Sequence, residues 1–242
     1  KYTPDAVMHF SAYSLVGESI TDPYKYYNNN VSGTISLLKA MIDNDCMKFI
    51  FSSSAAIFGN PEYTPIDENH PKNPINPYGK SKLMVEEILK DFEYAHGLKY
   101  VSFRYFNAAG HDPDGQLSER HDPETHLLPI IMQTVKGQRE SVSIFGNDYD
   151  TNDGTCVRDY IHVNDLANAH LKGLNYLNKK ESQSAEFNLG NGNGFSVKEV
   201  IQEVKEITKR DFKVVEEGRR DGDPSILISS DVRAKKILKL RN

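Results

Sequence analysis

Tyr78 and Lys82 stand four residues apart behind a turn written Asn76-Pro77-Tyr78-Gly79. On a helix that spacing puts both side chains on one face, with Cβ atoms about 5–6 Å apart. A phenol held beside an ammonium is a candidate general base. A free tyrosine loses its proton near pH 10. A unit charge about 6 Å away, at an effective dielectric of about 20, contributes roughly 3 kcal/mol, which brings the phenol to near 8. The spacing alone identifies little, because Tyr176 and Lys180 repeat it on a charged, Asn- and Lys-rich helix end. Without further context a surface helix pair is the better reading of either.

The elements around Tyr78 supply that context. Asn76, Pro77 and Gly79 mark a turn, and Leu83, Met84, Ile88 and Leu89 then recur at helical spacing until Gly97 ends the helix as a C-cap. Asp5 to Ala12 reads as a short buried strand running into small residues. Pro23 opens a long helix whose Tyr26, Tyr27, Val31, Ile35, Leu38 and Met41 keep to one face. Lys48 to Phe51 is a strand ending in Ser52-Ser53-Ser54, and Lys99 to Phe106 is a third. The Pro-, Asn- and Asp-rich connection from Asn60 to Pro77 is long for a compact domain and suggests a functional loop.

Strands alternating with long helices predict an α/β fold with a doubly wound, Rossmann-like parallel sheet, in which ligands bind at the C-terminal strand ends. Here those ends carry Phe10-Ser11-Ala12, Ser52-Ser53-Ser54 and Phe106-Asn107, and they converge on Tyr78. Serines ending a strand are as often an ordinary turn, and Phe10 and Phe106 read equally well as core.

After residue 108 the texture changes to a Gly-, Asp- and His-rich loop. Helices are expected near 125–137, 163–177 and 197–207, and short strands at 142–145, 156–162, 186–189 and 212–215. The division expected is 1–108 for the sheet domain and 109–242 for a smaller α/β substrate-binding domain, with the segment near 161–180 packing back on the first.

Composition removes several classes of function. A net charge of −5 offers no general attraction to nucleic acid or anionic membrane. No apolar run approaches the 18 or so residues of a membrane span, and the N-terminus lacks a signal-peptide layout. Cys46 and Cys156 are far apart, without metal-ligand spacing, which suits a reducing cytosol. The eight His form no evident ligand cluster, so no metal is expected. The expected location is cytoplasmic.

Several ordered runs carry a resemblance. They are Met8-His9-Phe10, Val16-Gly17-Glu18-Ser19, Asn29 to Thr34, Phe49 to Ser54, Asn76 to Met84 and Arg104-Tyr105-Phe106-Asn107. The second half adds Gly154 to Val163, Asn188-Leu189-Gly190 and Arg219-Arg220-Asp221-Gly222-Asp223. Together they resemble the extended short-chain dehydrogenase/reductase superfamily and, within it, the UDP-glucose 4-epimerase family. That family opens with a strand and a Gly-rich turn holding a dinucleotide pyrophosphate. No such turn occurs here, the first readable strand matches the family's fourth, and the last segment also stops short. The resemblance therefore implies a fragment.

It also implies reversible interconversion of UDP-glucose and UDP-galactose on NAD, as part of galactose metabolism, through a 4-keto sugar. Tyr78 would be the base, with Lys82 and the positive nicotinamide lowering its pKa and Ser54 hydrogen-bonded to the reacting hydroxyl. Phe10, Ser11, Ala12, Tyr13, Ser14, Asn29, Ser52, Ser54, Tyr78, Lys82 and Phe106 match positions around NAD, although some relatives carry lysine where Ser14 stands. Arg158 and Arg220 match diphosphate contacts, and Asp223 the acceptor for a ribose hydroxyl. Asn107, His126, Leu127, Ser143, Ile144 and Phe145 match substrate-facing positions, alternation making one or more of the last three core. Leu227 falls at the sugar-size gate, where its intermediate bulk implies poor use of UDP-GlcNAc. Family members dimerise through the helices that follow Pro23 and Tyr78, so a homodimer is expected. Open alternatives are another nucleotide-sugar epimerase, for UDP-GlcNAc or UDP-glucuronate, and a non-catalytic UDP-sugar-binding relative. A 4,6-dehydratase would need an acid pair that Ser54-Ala55-Ala56 does not provide.

Overall fold

The structure is a computed structural model that describes residues 3–240. In chain order, strand β1 (Val7–His9) leads to helices α1 (Val16–Thr21), α2 (Pro23–Tyr26) and α3 (Gly33–Asp43), a π-wound segment Tyr27–Ser32 joining the last two. Strand β2 (Lys48–Ser54), a 3-10 turn Ala55–Ile57, helix α4 (Pro77–His96) and strand β3 (Lys99–Tyr105) follow. Next come β4 (Asn107–Ala109), α5 (Leu127–Val135), β5 (Ser141–Phe145), β6 (Val157–Arg158), β7 (Tyr160–His162), α6 (Val163–Leu177) and β8 (Ala185–Leu189). The chain continues through β9 (Phe195–Ser196), α7 (Val197–Thr208), β10 (Lys213–Glu217), β11 (Ile226–Leu227) and α8 (Val232–Leu238).

The main sheet is parallel throughout, in the order β1-β2-β3-β8. Alternation along β2 explains its two layers. Phe49 and Phe51 face Leu38, Met41, Val85 and Leu89 of α3 and α4. Ile50 faces the other way, with Val101, Phe103, Phe187 and the α6 residues Ala169 and Leu177. Each fully buried side chain of this size contributes about 1.5–3 kcal/mol, which pins the register of the strands that end at the candidate site.

Beyond residue 108, α6, β8 and α8 thus belong to the layers of the main sheet. The remaining strands form small sheets. Parallel β5 and β10 carry α5 and α7 on a core of Ile131, Val142, Ile144 and Ile201. The strand expected over 156–162 is broken at Asp159. Its carboxylate turns inward and accepts N–H groups from Asn191 at 2.7 Å, Gly192 at 3.0 Å and Ser229 at 3.0 Å. On one side of the break β6 pairs with β9 and β11, and on the other β7 pairs with β4.

Helix α4 begins where its sequence says it should. Asn76 Oδ1 accepts the Gly79 N–H at 2.8 Å, and Pro77 takes the first turn, where no N–H is needed. Gly97 closes it with φ of 75°, a left-handed conformation that glycine adopts freely. Among the described residues no helix is long and apolar enough to cross a membrane.

Candidate active site

The ends of β1, β2 and β3 lie side by side, with His9 opposite Phe51 and Ser54 opposite Tyr105. The three serines closing β2 divide their roles. Ser52 Oγ meets the Tyr105 hydroxyl at 2.9 Å, and Ser53 Oγ donates to buried Glu86 at 2.6 Å. Ser54, partly exposed, caps the 3-10 turn by accepting the Ala56 N–H and also hydrogen-bonds Tyr78. Gly79 lets α4 approach this turn, because a Cβ there would sit 2.4 Å from the Ala56 carbonyl oxygen.

Lys82 is 4% exposed, its ammonium donating to the Ser52 carbonyl at 2.8 Å and lying 5.0 Å from the Phe51 ring and 5.8 Å from the Tyr78 ring. Burial drives its pKa down to about 8. The pKa of Tyr78 is moved up by burial, a displacement that the Ser54 hydrogen bond opposes. This corrects the expectation that Lys82 brings the phenol to near 8. Loss of solvation opposes the charged form of both groups and is the largest cause of each displacement.

Around this centre the predicted cofactor residues separate. Phe10 is 59% exposed and leans on the His170 ring at 4.9 Å, while Ser11, Tyr13, Ser14 and Asn29 are exposed beside it and Ala12 is partly so. Ser52 and Phe106 are turned inward. Ser52 supports Lys82 and Tyr105 from beneath, and Phe106, 7% exposed, packs with Ile57, Phe58 and Ile66. An exposed aromatic, small residues at a parallel sheet's C-terminal edge, and a buried ammonium with donors beyond its one carbonyl suit a ligand of flat rings and sugar hydroxyls. NAD is such a ligand, and these residues fit it.

Sequence reasoning missed three supports. Asn30, buried beside the expected Asn29, clamps Tyr13 through its N–H at 2.9 Å and its carbonyl at 3.0 Å, and reaches Ser81 at 3.1 Å. His170 donates from Nδ1 to the Leu166 carbonyl at 2.7 Å, so Nε2 accepts from Tyr105 at 2.6 Å. Arg104 and Glu86 form a buried fork at 2.7 and 3.0 Å beneath Ser53. Two charged residues set within apolar periodicity were the available signal for that last pair.

Facing the helix start, Gly222 lies close enough to α4 that a Cβ on it would stand 3.8 Å from Asn76 Nδ2. Next to it Asp223 receives Arg220 at 2.8 and 2.9 Å and Arg158 at 3.6 Å. Two guanidinium groups on one carboxylate leave a cationic surplus, and Arg220 also lies over the Phe145 ring at 4.6 Å. Arg219 points elsewhere, to Asp148 at 2.7 Å.

In β5, Ser143 and Phe145 are partly exposed, whereas Ile144, 4% exposed, is core; its side chain is corrected out of the substrate set by strand alternation. Asn107 opens β4, donating its N–H to the Asp159 carbonyl at 2.9 Å. Leu227 packs beside Phe106 and Phe58. Leu127 packs on the α5–α7 core, and His126 pairs at the surface with Glu124 at 2.9 Å. The loop also brings His121 close to His126, a cluster not expected from the sequence.

Comparison with known proteins agrees with this geometry. The NAD dependent epimerase/dehydratase family matches residues 1–190. The chain is 53% identical over 234 residues to a UDP-glucose 4-epimerase of Halalkalibacterium halodurans, covering 97% of this chain and 70% of that protein. It is 50% identical over 234 residues to one of Streptococcus mutans, with the same coverage, 97% and 70%. A crystal structure of UDP-glucose 4-epimerase from Brucella ovis in complex with NAD superposes with a TM-score of 0.95 at 47% identity, covering 100% of this chain and 74% of that one. The chain belongs to the NAD dependent epimerase/dehydratase family, in its UDP-glucose 4-epimerase branch.

Proposed function

We propose that this chain carries the NAD-dependent, reversible interconversion of UDP-glucose and UDP-galactose at C4. The observation that carries the reading is the meeting of Tyr78, Ser54 and buried Lys82 at the sheet edge, with Gly222, next to the Arg158–Asp223–Arg220 cluster, lying against the start of α4. Bound NAD supplies the reversible oxidation of C4 to a 4-keto sugar. Tyr78 takes the proton of the 4-hydroxyl and returns it, with Ser54 holding hydroxyl and phenol in line. Lys82 stabilises the phenolate once it forms, since an unpaired anion in this buried setting is costly. Arg158 and Arg220 grip the diphosphate, for which planar guanidinium forks are suited. Asp223 accepts a ribose hydroxyl, and Ser143 and Phe145 border the uracil. Asn107, Leu127 and His126 complete the sugar side, and Leu227 limits its size, favouring UDP-glucose and UDP-galactose over UDP-GlcNAc.

Two further features belong to the same reading. Ile35, 41% exposed on α3, and Met84, 46% exposed on α4, support pairing of these helices in a homodimer. Cys46 and Cys156, both buried and free, accord with work in the reducing cytoplasm. The test is incubation with UDP-galactose and NAD, following UDP-glucose by NMR. Conversion that disappears in Arg220→Ala at low substrate and recovers at high substrate supports the assignment. No conversion in NAD-saturated protein, or equal kcat/KM for UDP-GlcNAc, contradicts it.

A further inference from the structure

The loop between β4 and α5 closes on four side chains that the proposed reaction does not use as a set. One ligand atom from each of Glu119, His121, Glu124 and His126 lies within 4.8 Å of the other three. His121 Nδ1 stands 3.0 Å from Glu119 Oε1 and 3.6 Å from Glu124 Oε2. His126 Nδ1 stands 3.3 Å from Glu119 Oε1 and 2.9 Å from Glu124 Oε1. Each imidazole therefore faces both carboxylates. The rings are 4.8 Å apart and tilted by 46°, so their nitrogen edges converge instead of stacking flat.

These separations are ones that an ion could bridge. A tetrahedral centre with bonds of about 2.0–2.2 Å to nitrogen and oxygen sets its donors roughly 3.3 Å apart. The four measured nitrogen–oxygen distances scatter around that value. The two shortest, His126 Nδ1 to Glu124 and His121 Nδ1 to Glu119, are also hydrogen-bond lengths, so an entering ion would replace these His–Glu contacts.

A second observation concerns how Glu124 is held. Its side chain is only 7% exposed, and Oε1 accepts the N–H groups of Thr125 and His126, both at 2.8 Å. That fixes the carboxylate and leaves Oε2 turned into the cluster, 3.6 Å from His121 Nδ1 and beyond hydrogen-bond reach. Backbone donors orienting a carboxylate in this way are what a ligand requires of its surroundings. Glu119, His121 and His126 are more open, at 31%, 47% and 46% exposed, which gives an ion a route in.

We propose that Glu119, His121, Glu124 and His126 bind one zinc-class divalent cation that staples the β4–α5 loop to the start of α5. With the ion bound, two neutral imidazoles that keep their proton on Nε2 and give it the Nδ1 lone pair, with two carboxylates, make a site of charge −2 that a divalent ion neutralises. Mixed nitrogen and oxygen donors suit zinc and its first-row neighbours, whereas magnesium and calcium take all-oxygen sets. His126 is shared with the sugar side of the proposed epimerase site, so the test reads metal binding and loop closure and not turnover.

Arg120, exposed between two of the ligands, provides the readout. Protein dialysed against chelator is titrated with zinc by calorimetry and with cobalt(II) by visible absorption. Trypsin cleavage after Arg120 is then followed by mass spectrometry. The expected result is one equivalent bound, with the visible bands of tetrahedral cobalt. At zinc ten times above its dissociation constant, loop opening and hence cleavage fall about tenfold. His121→Ala and Glu119→Gln, checked for folding by circular dichroism, each abolish the protection. Absence of saturable zinc binding in the wild type, an unchanged cleavage rate, or protection that persists in both variants would overturn the proposal.

Discussion

Replacing Lys82 by methionine isolates the cost of the buried charge, because methionine keeps an unbranched apolar stem and drops the ammonium. Burial lowers the Lys82 pKa from the ordinary 10.5 to about 8. At 1.36 kcal/mol per pH unit, keeping it charged at pH 7 costs the folded chain about 3 kcal/mol. Against this stand the hydrogen bond to the Ser52 carbonyl and the contact over Phe51, about 2 kcal/mol together. Lys82→Met is therefore expected to be about 1 kcal/mol more stable than wild type at pH 7 while losing activity, the trade often seen at functional sites.

The pH dependence is the sharper signature. From pH 8 to 10.5 the unfolded chain binds a proton at Lys82 that the folded chain does not, so wild-type stability gains with rising pH. Below pH 8 the residue is charged in both states and the full cost applies. By pH 9.5 about 2 kcal/mol is recovered, and the order of the two proteins reverses. Other titrating groups cancel in the difference except His9, whose pKa burial and the Lys82 charge lower from 6.5, below this pH range. Urea unfolding followed by circular dichroism between pH 7 and 9.5 measures it. Parallel stability curves for the two proteins would show that Lys82 does not carry a lowered pKa, and the electrostatics of the site would have to be redrawn.

Three other changes have definite outcomes. Ser54→Ala removes the hydrogen bond that opposes the upward displacement of Tyr78, so the alkaline rise of kcat moves to higher pH and kcat at pH 7 falls roughly 10- to 100-fold; an unmoved profile would exclude Ser54 from proton handling. Gly79→Ala places a methyl 2.4 Å from the Ala56 carbonyl oxygen and is expected to cost about 1–3 kcal/mol, seen as a lower Tm. Glu86→Gln leaves Arg104 buried without its anion and is expected to cost about 3–5 kcal/mol in urea unfolding, a loss below about 1 kcal/mol being inconsistent with the observed fork.

What was legible before the structure follows from how local each signal is. Helix α4 was readable because its cap, first-turn proline, apolar spacing and terminal glycine all lie within its own residues. The parallel sheet was readable because buried strands are near-continuous apolar runs, as in Lys48 to Phe51. Short elements such as β9 and β11 were not, since two residues carry no periodicity.

At the site, residue types were legible and their environments were not. Ser52, Ser53 and Ser54 look alike in sequence, and only strand alternation and Glu86 separate them. The direction of the Tyr78 displacement was misjudged because a charge separation can be estimated from helical spacing, whereas desolvation depends on the whole surrounding fold. The Glu119–His126 cluster escaped notice because its ligands meet only when an irregular loop closes.

The central claim is that the Tyr78 phenol moves the proton of the sugar 4-hydroxyl. It is tested most directly by Tyr78→Phe, which keeps the ring packed and removes one oxygen. With NAD and UDP-galactose saturating, kcat is expected to fall at least about 100-fold, and more toward 10,000-fold, while UDP-sugar affinity stays within a few-fold of wild type. Retention of kcat within tenfold would assign proton transfer to another group and contradict the mechanism.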